Sequence, residues 1–301
     1  MNKMAWSLIG SSVQGYSHIR SNKKNQDSFL IYPNDLTNDP PIIFALADGH
    51  GGDKYFLSDV GSKFAVESAI KVIKEFLQDP GIDEIDQDNI EFFNKYILDT
   101  VCQDIVKHWR KRVFDQNISD DKLYDSVTKQ GEKNRPSESE KKLEPYGSTL
   151  LISFIFKNLG VFIQLGDGDI IILYGKDTIV RPIPKDENLI ANDTYSLCLP
   201  GAGHYFKVSS ILFNENFKID DILLGLPSLI MLSTDGYSNS YISDDSFNQV
   251  AIDIYKMISE NPNGFREGIQ NIKDNLESWL TETSKSGSGD DITVGLMVHI
   301  A

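Results

Sequence analysis

The chain has 301 residues, of which 40% are hydrophobic and 24% are charged, a composition that excludes global disorder. It carries 29 Lys and Arg against 44 Asp and Glu, a formal net charge of −15, which disfavours nucleic acid and anionic membranes as partners. No run reaches the ~20 apolar residues that a membrane-spanning helix needs, so we expect no membrane partner.

The first third of the sequence predicts strands followed by a pair of helices. Strands are expected over residues 5–10, 28–32 and 41–47. The third of these is almost wholly apolar and stops abruptly at Asp48. Apolar residues at helical spacing then predict one helix over 60–77 and a second over 93–109. Two long helices joined by a short loop suggest an antiparallel pair.

Two segments lack such periodicity. Residues 115–145 are mostly charged and polar, and we expect them to form a long, mobile surface insertion within one domain. Residues 176–220 contain three prolines and a Gly-Ala-Gly turn, which indicates an irregular, flap-like excursion over the sheet.

The remaining segments predict further strands and a second helix pair. Strands are expected over residues 149–156, 161–165, 170–174, 229–234 and 292–299, and helices over 243–258 and 265–279. Helices in consecutive pairs argue against alternating βαβ units. We expect a single α+β domain over residues 1–301. Its fold would be a four-layer αββα sandwich of two mostly antiparallel sheets flanked by helix pairs.

Aspartates recur where predicted apolar strands stop or start. They are Asp27, Asp48, Asp167, Asp235 and Asp290. A single Asp-Gly pair is most often a turn, but several unpaired carboxylates at one rim of a sheet would repel one another. Hard divalent cations relieve this repulsion, and magnesium or manganese suits an oxygen-only ligand set. The pattern therefore predicts a metal site.

The chain resembles the metal-dependent (type 2C, PPM-type) protein serine/threonine phosphatases, in their bacterial style. Five motifs in order carry the resemblance, over about residues 7–299: Asp48-Gly49-His50-Gly51-Gly52, Gly147-Ser148-Thr149, Gly166-Asp167, Ser233-Thr234-Asp235-Gly236 and Gly289-Asp290-Asp291-Ile292-Thr293-Val294. The sandwich fold of that family agrees with the architecture expected from the pattern of elements.

The resemblance implies the direct metal ligands. Asp48 would bridge two metal ions, and the carbonyl of Gly49 would bind one of them. Asp235 and Asp290 match the remaining direct ligands. Asp291 follows Asp290 where many members have asparagine, so either carboxylate of the pair is open as the ligand, and the motif favours Asp290.

The resemblance also implies supporting roles. Asp27 matches an acid that lies close to the metals through water, and Asp167 matches a residue that helps to hold a third, weaker ion. His50 matches the proposed general acid. The implied cofactors are two Mg²⁺ or Mn²⁺ ions, with this third ion in addition.

Two departures from the family pattern concern the segment before Asp27. Gln26 stands where the family usually has glutamate, and Asn22 stands where it often has a phosphate-binding arginine. Arg20, Lys23 and Lys24 lie nearby, and one of them could reach the phosphate, with Arg20 as the predicted substitute. A solvated basic turn is the alternative interpretation. His18 is either an ordinary loop histidine or a group that supports the metal site.

The expected function is the hydrolysis of phosphoserine and phosphothreonine in proteins by a metal-bridged hydroxide. The substrate would be the product of a Ser/Thr kinase, and the enzyme would be a monomer. Cys102 and Cys198 stand in apolar contexts that suit buried thiols, and the first ten residues lack a signal pattern, so we expect a cytoplasmic protein.

Two alternatives stay open. The first is a catalytically weak or inactive phosphatase-fold module with a regulatory or binding role. The second is a phosphatase of a small phosphoester or of phosphotyrosine. A two-metal nuclease conflicts with the net charge of −15.

Overall fold

The computed structural model describes residues 5–33, 39–78, 85–116, 138–185, 194–214, 218–219 and 222–300. Within these ranges the strands are β1 (Ala5–Val13), β2 (Ser28–Tyr32), β3 (Ile42–Ala47), β4 (Leu150–Phe156), β5 (Leu159–Leu165), β6 (Asp169–Tyr174), β7 (Thr178–Val180), β8 (Lys207–Leu212), β9 (Lys218–Ile219), β10 (Ile222–Leu223), β11 (Pro227–Ser233) and β12 (Ile292–Ile300). The α-helices are α1 (Tyr16–Ser21), α2 (Ser58–Phe76), α3 (Ile90–Tyr96), α4 (Cys102–Phe114), α5 (Glu138–Leu143), α6 (Asp235–Ser238), α7 (Asp244–Ser259) and α8 (Phe265–Ser286).

The strands form two five-stranded antiparallel sheets. One has the order β1-β12-β11-β6-β7 and the other the order β2-β3-β4-β5-β8, while β9 and β10 pair as a separate ribbon. One apolar cluster lies between the two sheets, a second joins the β2–β8 sheet to α2 and α4, and a third joins the β1–β7 sheet to α7 and α8. The predicted four-layer αββα sandwich is confirmed.

Strand β3 shows why an unbroken apolar run belongs at the centre of this sandwich. Ile42, Phe44 and Leu46 pack into the cluster between the sheets. The alternate residues Ile43 and Ala45 pack against the helices on the other face. Successive side chains of a strand point to opposite faces, so a strand covered on both sides needs apolar residues at every position.

The second predicted helix is not one continuous α-helix. A π-helical turn over Ile97–Val101 joins α3 to α4. Ile97 and Val101 are both buried, and so is Ile105 one turn later. A π turn adds one residue to a helix and rotates everything after it. A sequence pattern read at regular helical spacing does not reveal that extra residue.

The predicted insertion over 115–145 is wrong at its C-terminal end. Residues 138–143 form α5, and a 3₁₀ turn over Glu144–Tyr146 follows. Leu143 and Tyr146 are buried in the cluster beneath α2 and α4, so these two residues anchor a charged segment. Residues 117–137 of the predicted insertion lie outside the described residues.

The predicted irregular segment over 176–220 is wrong where it contains strands. Residues 178–180 form β7 and residues 207–212 form β8, and these are the edge strands of the two sheets. Strand β8 is half-buried throughout, so it lacks the strong apolar pattern of a central strand. Residues 186–193 of this segment lie outside the described residues.

The sandwich brings several strand ends to one edge of the molecule. Strand β3 ends just before Asp48, β11 ends two residues before Asp235, and β12 begins just after the 290–291 pair. Ser233 pairs with Val294 in the β11–β12 ladder, which brings the last two of these ends side by side. No helix in the described part of the chain is long and apolar enough to cross a membrane.

Candidate active site

A cavity of about 1000 Å³ opens at this edge of the sandwich. Five of the predicted site residues line it: Asp48, His50, Asp167, Asp235 and Asp290. They come from segments that are far apart in sequence and from both sheets. Asp27 and Arg20 do not line this cavity.

Asp48 and Asp235 form the centre of the acidic group. Burial raises the pKa of Asp48 well above its usual range, and the neighbouring charges of Asp27 and Asp235 raise it further. Burial raises the pKa of Asp235 most, and the charge of Asp167 raises it further, while a hydrogen bond with Asp48 lowers it. The resulting pKa of Asp235 is about 6. Burial and mutual repulsion therefore disfavour having both carboxyl groups charged at once.

Asp27 lies behind this pair and is buried. Its Oδ2 accepts hydrogen bonds from Oγ1 of Thr234 and Oγ1 of Thr293, each at 2.8 Å. Its Oδ1 is buried without a hydrogen-bond partner among the described residues. Burial, and then the charge of Asp291, raises the pKa of Asp27 well above its usual range.

The structure separates the two carboxylates of the 290–291 pair. Asp291 is buried, and its two oxygens accept hydrogen bonds from the backbone N–H groups of Gly15 at 2.6 Å and Gln26 at 2.7 Å. Asp290 lines the cavity instead. Asp290 is therefore the carboxylate of this pair that faces the cavity, as the motif indicates.

Glycines shape two of the loops that carry acidic residues. A Cβ atom on Gly49 would lie 2.6 Å from the carbonyl oxygens of both Gln26 and Ser58, so only glycine fits beside Asp48. Gly166 has a φ of +104°, which other residues rarely adopt. Gln164 donates through Nε2 to the carbonyls of Gly166 at 3.1 Å and Gly168 at 2.8 Å. These two hydrogen bonds stabilise the turn that carries Asp167.

His50 lies on the wall of the cavity against an aromatic ring. The centroid of its imidazole is 4.7 Å from that of Tyr55, and the ammonium of Lys54 lies 4.7 Å from the Tyr55 ring. Burial, and then the positive charge of Lys54, lowers the pKa of His50 to about 4. The imidazole is therefore neutral at pH 7 when no anion is bound.

The segment that would carry the family's arginine is built differently here. Asn22 is the C-cap of α1 and has a left-handed backbone, with φ 56° and ψ 32°. Asparagine tolerates this conformation better than most residues. Arg20 is exposed on α1. The described cations that line the cavity are instead Lys54, Lys185 and Lys207.

Sequence reasoning missed several of the residues at the site. The three lysines come from separate segments, and only the fold brings them together. Thr149 lines the cavity and accepts a hydrogen bond from the backbone N–H of Asp48 at 3.0 Å. Thr149 belongs to the Gly147-Ser148-Thr149 motif, and that motif is the feature of the sequence that could have marked it as a site residue. Asp169, two residues after Asp167, lies outside the cavity lining, where it is buried and forms an ion pair with Arg181.

The residues present fit a hard divalent cation. The cavity gathers four aspartates, and three of them, Asp48, Asp167 and Asp235, have raised pKa values. Behind them, the unpartnered Oδ1 of Asp27 is an oxygen that a cation-bound water can satisfy. Glycine 49 leaves room for a close backbone approach. In the described part of the chain, His18, Asp290 and Asp291 also place one ligand atom each within 4.8 Å of one another.

Comparisons with solved structures agree with this architecture. The S. agalactiae serine/threonine phosphatase is 15% identical, with 97% of this chain and 99% of that chain covered and a TM-score of 0.55. Serine/threonine phosphatase Stp1 from Staphylococcus aureus is 16% identical, with coverage of 99% and 96% and a TM-score of 0.53. PppA, a regulatory component of T6SS in Pseudomonas aeruginosa, is 14% identical, with 99% of each chain covered and a TM-score of 0.54. At these identities the similarity shows the fold alone.

Comparison with protein families gives the more specific result. A search of the curated proteins found no match. The family described as protein phosphatase 2C matches residues 14–281, which contain all the aspartates of the cavity except Asp290. The chain therefore belongs to the protein phosphatase 2C family of metal-dependent serine/threonine phosphatases.

Proposed function

We propose that this protein hydrolyses phosphoserine and phosphothreonine in proteins, with Mg²⁺ or Mn²⁺ ions held by the acidic cavity. The observation that carries the proposal is the convergence of Asp48, Asp167, Asp235 and Asp290 on one cavity. Several carboxylates gathered at one site repel one another and are destabilising unless a cation or a proton offsets them. Family membership favours the cation.

The proposed ligands divide by their position. Asp48, the carbonyl of Gly49, Asp235 and Asp290 would hold two ions, and Asp167 would help to hold a third. Asp27 would act through a metal-bound water from behind the cavity. When bound, such ions lower the pKa of water, so that a hydroxide nucleophile is available near neutral pH, and they offset charge on the phosphoryl oxygens.

His50 would protonate the leaving alkoxide of the serine or threonine. An imidazole with a pKa of about 4 does not by itself hold this proton at neutral pH. A phosphate dianion beside the ring would favour the charged imidazolium and raise the pKa towards the working range. Substrate binding would therefore prepare the acid, and Tyr55 would keep its ring in place.

Lys54 is our proposed phosphate contact, ahead of Arg20. It lines the cavity, and its charge acts on His50 directly. Its ammonium lies 3.1 Å from Oε1 of Glu144, which holds the side chain at the rim. Arg20 lies exposed on α1 outside the cavity lining. Lys185 and Lys207 would extend the same positive rim.

The remaining features of the proposal concern the setting of the enzyme. The substrates would be phosphoproteins made by a Ser/Thr kinase, and residues 1–301 would act as one monomeric domain. Cys102 and Cys198 are free and buried, which supports a reducing compartment such as the cytoplasm.

Phosphopeptide hydrolysis under metal control tests this function. The purified chain is treated with EDTA and assayed on phosphoserine, phosphothreonine and phosphotyrosine peptides and on small phosphoesters, before and after addition of Mn²⁺ or Mg²⁺. We expect metal-dependent release of phosphate from the phosphoserine and phosphothreonine peptides. Activity only on small esters or phosphotyrosine would assign a different substrate. No hydrolysis with either metal would favour a regulatory module.

A matched pair of variants keeps that test specific. Asp235→Asn removes a proposed ligand, whereas Asp253→Asn changes an exposed aspartate of α7 that only accepts a hydrogen bond from Gln249 at 2.9 Å. The first should abolish metal-dependent release and the second should leave it unchanged. Equal activity of the two variants would contradict the ligand assignment.

A further inference from the structure

Helix α1 is fastened to the segment that precedes β12. The backbone N–H of Ser17 donates to the carbonyl of Gly289 at 2.8 Å, and that of Tyr16 donates to Oγ of Ser284 at 3.0 Å. Both accepting residues lie within seven residues of Asp290. The connection between β1 and β2 therefore lies against the base of the 290–291 pair.

His18 is the side chain of α1 that contacts this pair. Its ring is only 12% exposed. Nδ1 lies 2.9 Å from Oδ1 of Asp291, and Nε2 lies 3.6 Å from Oδ1 of Asp290. The other groups that contact the Asp291 carboxylate are backbone N–H groups. His18 is therefore the one side chain in polar contact with it among the described residues.

Asp291 is in turn connected to Asp290 by a hydrogen bond. The backbone N–H of Asp291 donates to Oδ1 of Asp290 at 2.8 Å. Two backbone N–H groups and the ring of His18 together hold the carboxylate of Asp291, and the position of its own N–H depends on all three contacts. The side chain of Asp290 is 51% exposed, and this N–H donates the one hydrogen bond that its carboxylate accepts among the described residues. The direction of the Asp290 carboxylate thus depends on how firmly Asp291 is held.

We propose that His18 is a positioning residue for the metal ligand Asp290, acting through Asp291. The inference rests on the proposed function, because it requires Asp290 to bind metal. Groups that orient a metal ligand through hydrogen bonds typically change metal affinity by roughly 10- to 100-fold when they are removed.

The same three residues would otherwise suggest a separate metal site, since His18, Asp290 and Asp291 lie within ligand distance of one another. The bonding of Asp291 argues against that interpretation. Both of its oxygens already accept backbone hydrogen bonds, and a cation would have to displace or share them. A support for Asp290 accounts for all of these contacts together.

Metal affinity of the full chain, measured by calorimetry with Mn²⁺ at pH 7, tests this role without any assay of activity. His18→Ala removes both nitrogens. His18→Asn keeps an amide N–H close to the position of Nδ1, and His18→Gln places its amide near the position of Nε2. His108→Asn is the control, because this histidine of α4 contacts Ser68 at 3.0 Å and lies outside the cavity lining.

We expect His18→Ala and His18→Gln to weaken Mn²⁺ binding by roughly 10-fold or more, and His18→Asn and His108→Asn to stay within about threefold of the wild type. Circular dichroism establishes whether each variant is folded. If His18→Ala is not folded, the comparison of His18→Asn with His18→Gln is sufficient for the test. Wild-type affinity in all variants, or equal weakening by Asn and Gln, would overturn the inference while leaving the proposed function intact. Absence of Mn²⁺ binding by the wild type would overturn the proposed function, and this inference with it.

Discussion

Two connections of the sandwich reach the acidic residues, and they keep the family's pattern to different degrees. Residues 48–57, after β3, retain the Asp-Gly-His-Gly-Gly motif, and six of them line the cavity. Residues 14–27, between β1 and β2, have Asn22 and Gln26 where the resemblance implies that the family often has arginine and usually has glutamate. None of the residues 14–27 lines the cavity.

The difference separates groups that face substrate from groups that support them. The first connection offers a carboxylate, an imidazole and an ammonium to whatever occupies the cavity. The second binds the 290–291 pair from behind, through backbone N–H groups of Gly15 and Gln26 and the ring of His18. Chemistry dictates the residue types of the first, whereas the second can use any residues that hold the same geometry.

The largest expected effect comes from the first connection. Asp48→Asn should lower kcat by roughly 10³-fold, because the metal ions that this carboxylate would hold supply several kcal/mol of charge stabilisation in the transition state. The metal-free variant should unfold at a temperature no lower than the wild type, since a repelled, buried carboxylate has been removed. Steady-state kinetics with Mn²⁺ and thermal unfolding in EDTA measure the two effects. Hydrolysis near the wild-type rate would contradict the role of Asp48.

The sequence predicts this first connection well for a physical reason. A strand that is covered on both faces has an apolar residue at every position, which is easy to recognise in a sequence. Strand β3 is such a strand, and the charged residue Asp48 directly follows it. The motif that follows is short and contiguous, so its residues need no tertiary information to be recognised. The residues proposed as metal ligands and as general acid in this connection can therefore be recognised before the fold is known.

The supporting residues are not visible in the same way. His18 contacts residues more than 270 positions away, and the lysines of the cavity come from three separate segments. Strand β8 and the anchored 143–146 turn are also missed, because half-buried edges and isolated apolar residues give weak local patterns. Such features depend on tertiary contacts, which composition and periodicity do not encode.

The second expected effect concerns the acid in the same connection. His50→Ala should slow hydrolysis of a phosphoserine peptide by roughly 10²-fold or more, because general acid catalysis contributes about 10² to 10⁴ in rate. It should slow para-nitrophenyl phosphate much less, since that leaving group needs no proton. His204→Ala, an exposed histidine outside the cavity lining, is the control. Equal losses on both substrates would make His50 a structural residue.

The third effect compares the cations of the two connections. Lys54→Met should raise KM for one phosphopeptide by roughly 10-fold, since a hydrogen bond to a charged group contributes about 1.5 to 3 kcal/mol. Arg20→Met should leave KM within about twofold, because Arg20 lies outside the cavity lining. Lys63→Met, on the exposed face of α2, controls for loss of positive charge. The reverse ranking would place the phosphate contact on α1.

The fourth effect is a dependence of stability on pH. Asp235 has a folded pKa of about 6 against an ordinary value of 3.8, so it favours the folded state while protonated and loses that contribution as pH rises through 6. Asp235→Asn cannot ionise and keeps its contribution. In EDTA, the unfolding temperature of the variant relative to the wild type should therefore rise between pH 4 and pH 7. Saturating Mn²⁺ should reverse the order, because the wild type then has its ligand. A difference that does not change with pH would contradict the raised pKa.

The smallest effect tests the second connection where it departs most from the family. Asn22 caps α1 in a left-handed conformation, and most residues pay roughly 1 to 2 kcal/mol to adopt it. Asn22→Arg should therefore lower the free energy of unfolding by about 1 kcal/mol, while Asn22→Gly should leave it nearly unchanged. Denaturant unfolding measures both.

Restoring the arginine should not restore a phosphate contact. Position 22 is exposed at the end of α1, and the cavity lining contains no residue of that helix. KM for a phosphopeptide should therefore stay within about twofold of the wild type in Asn22→Arg. A fall in KM would mean that this connection faces the phosphate after all. That result would contradict the proposed difference between the two connections, in which residues 48–57 contact substrate and residues 14–27 only support the proposed metal ligands.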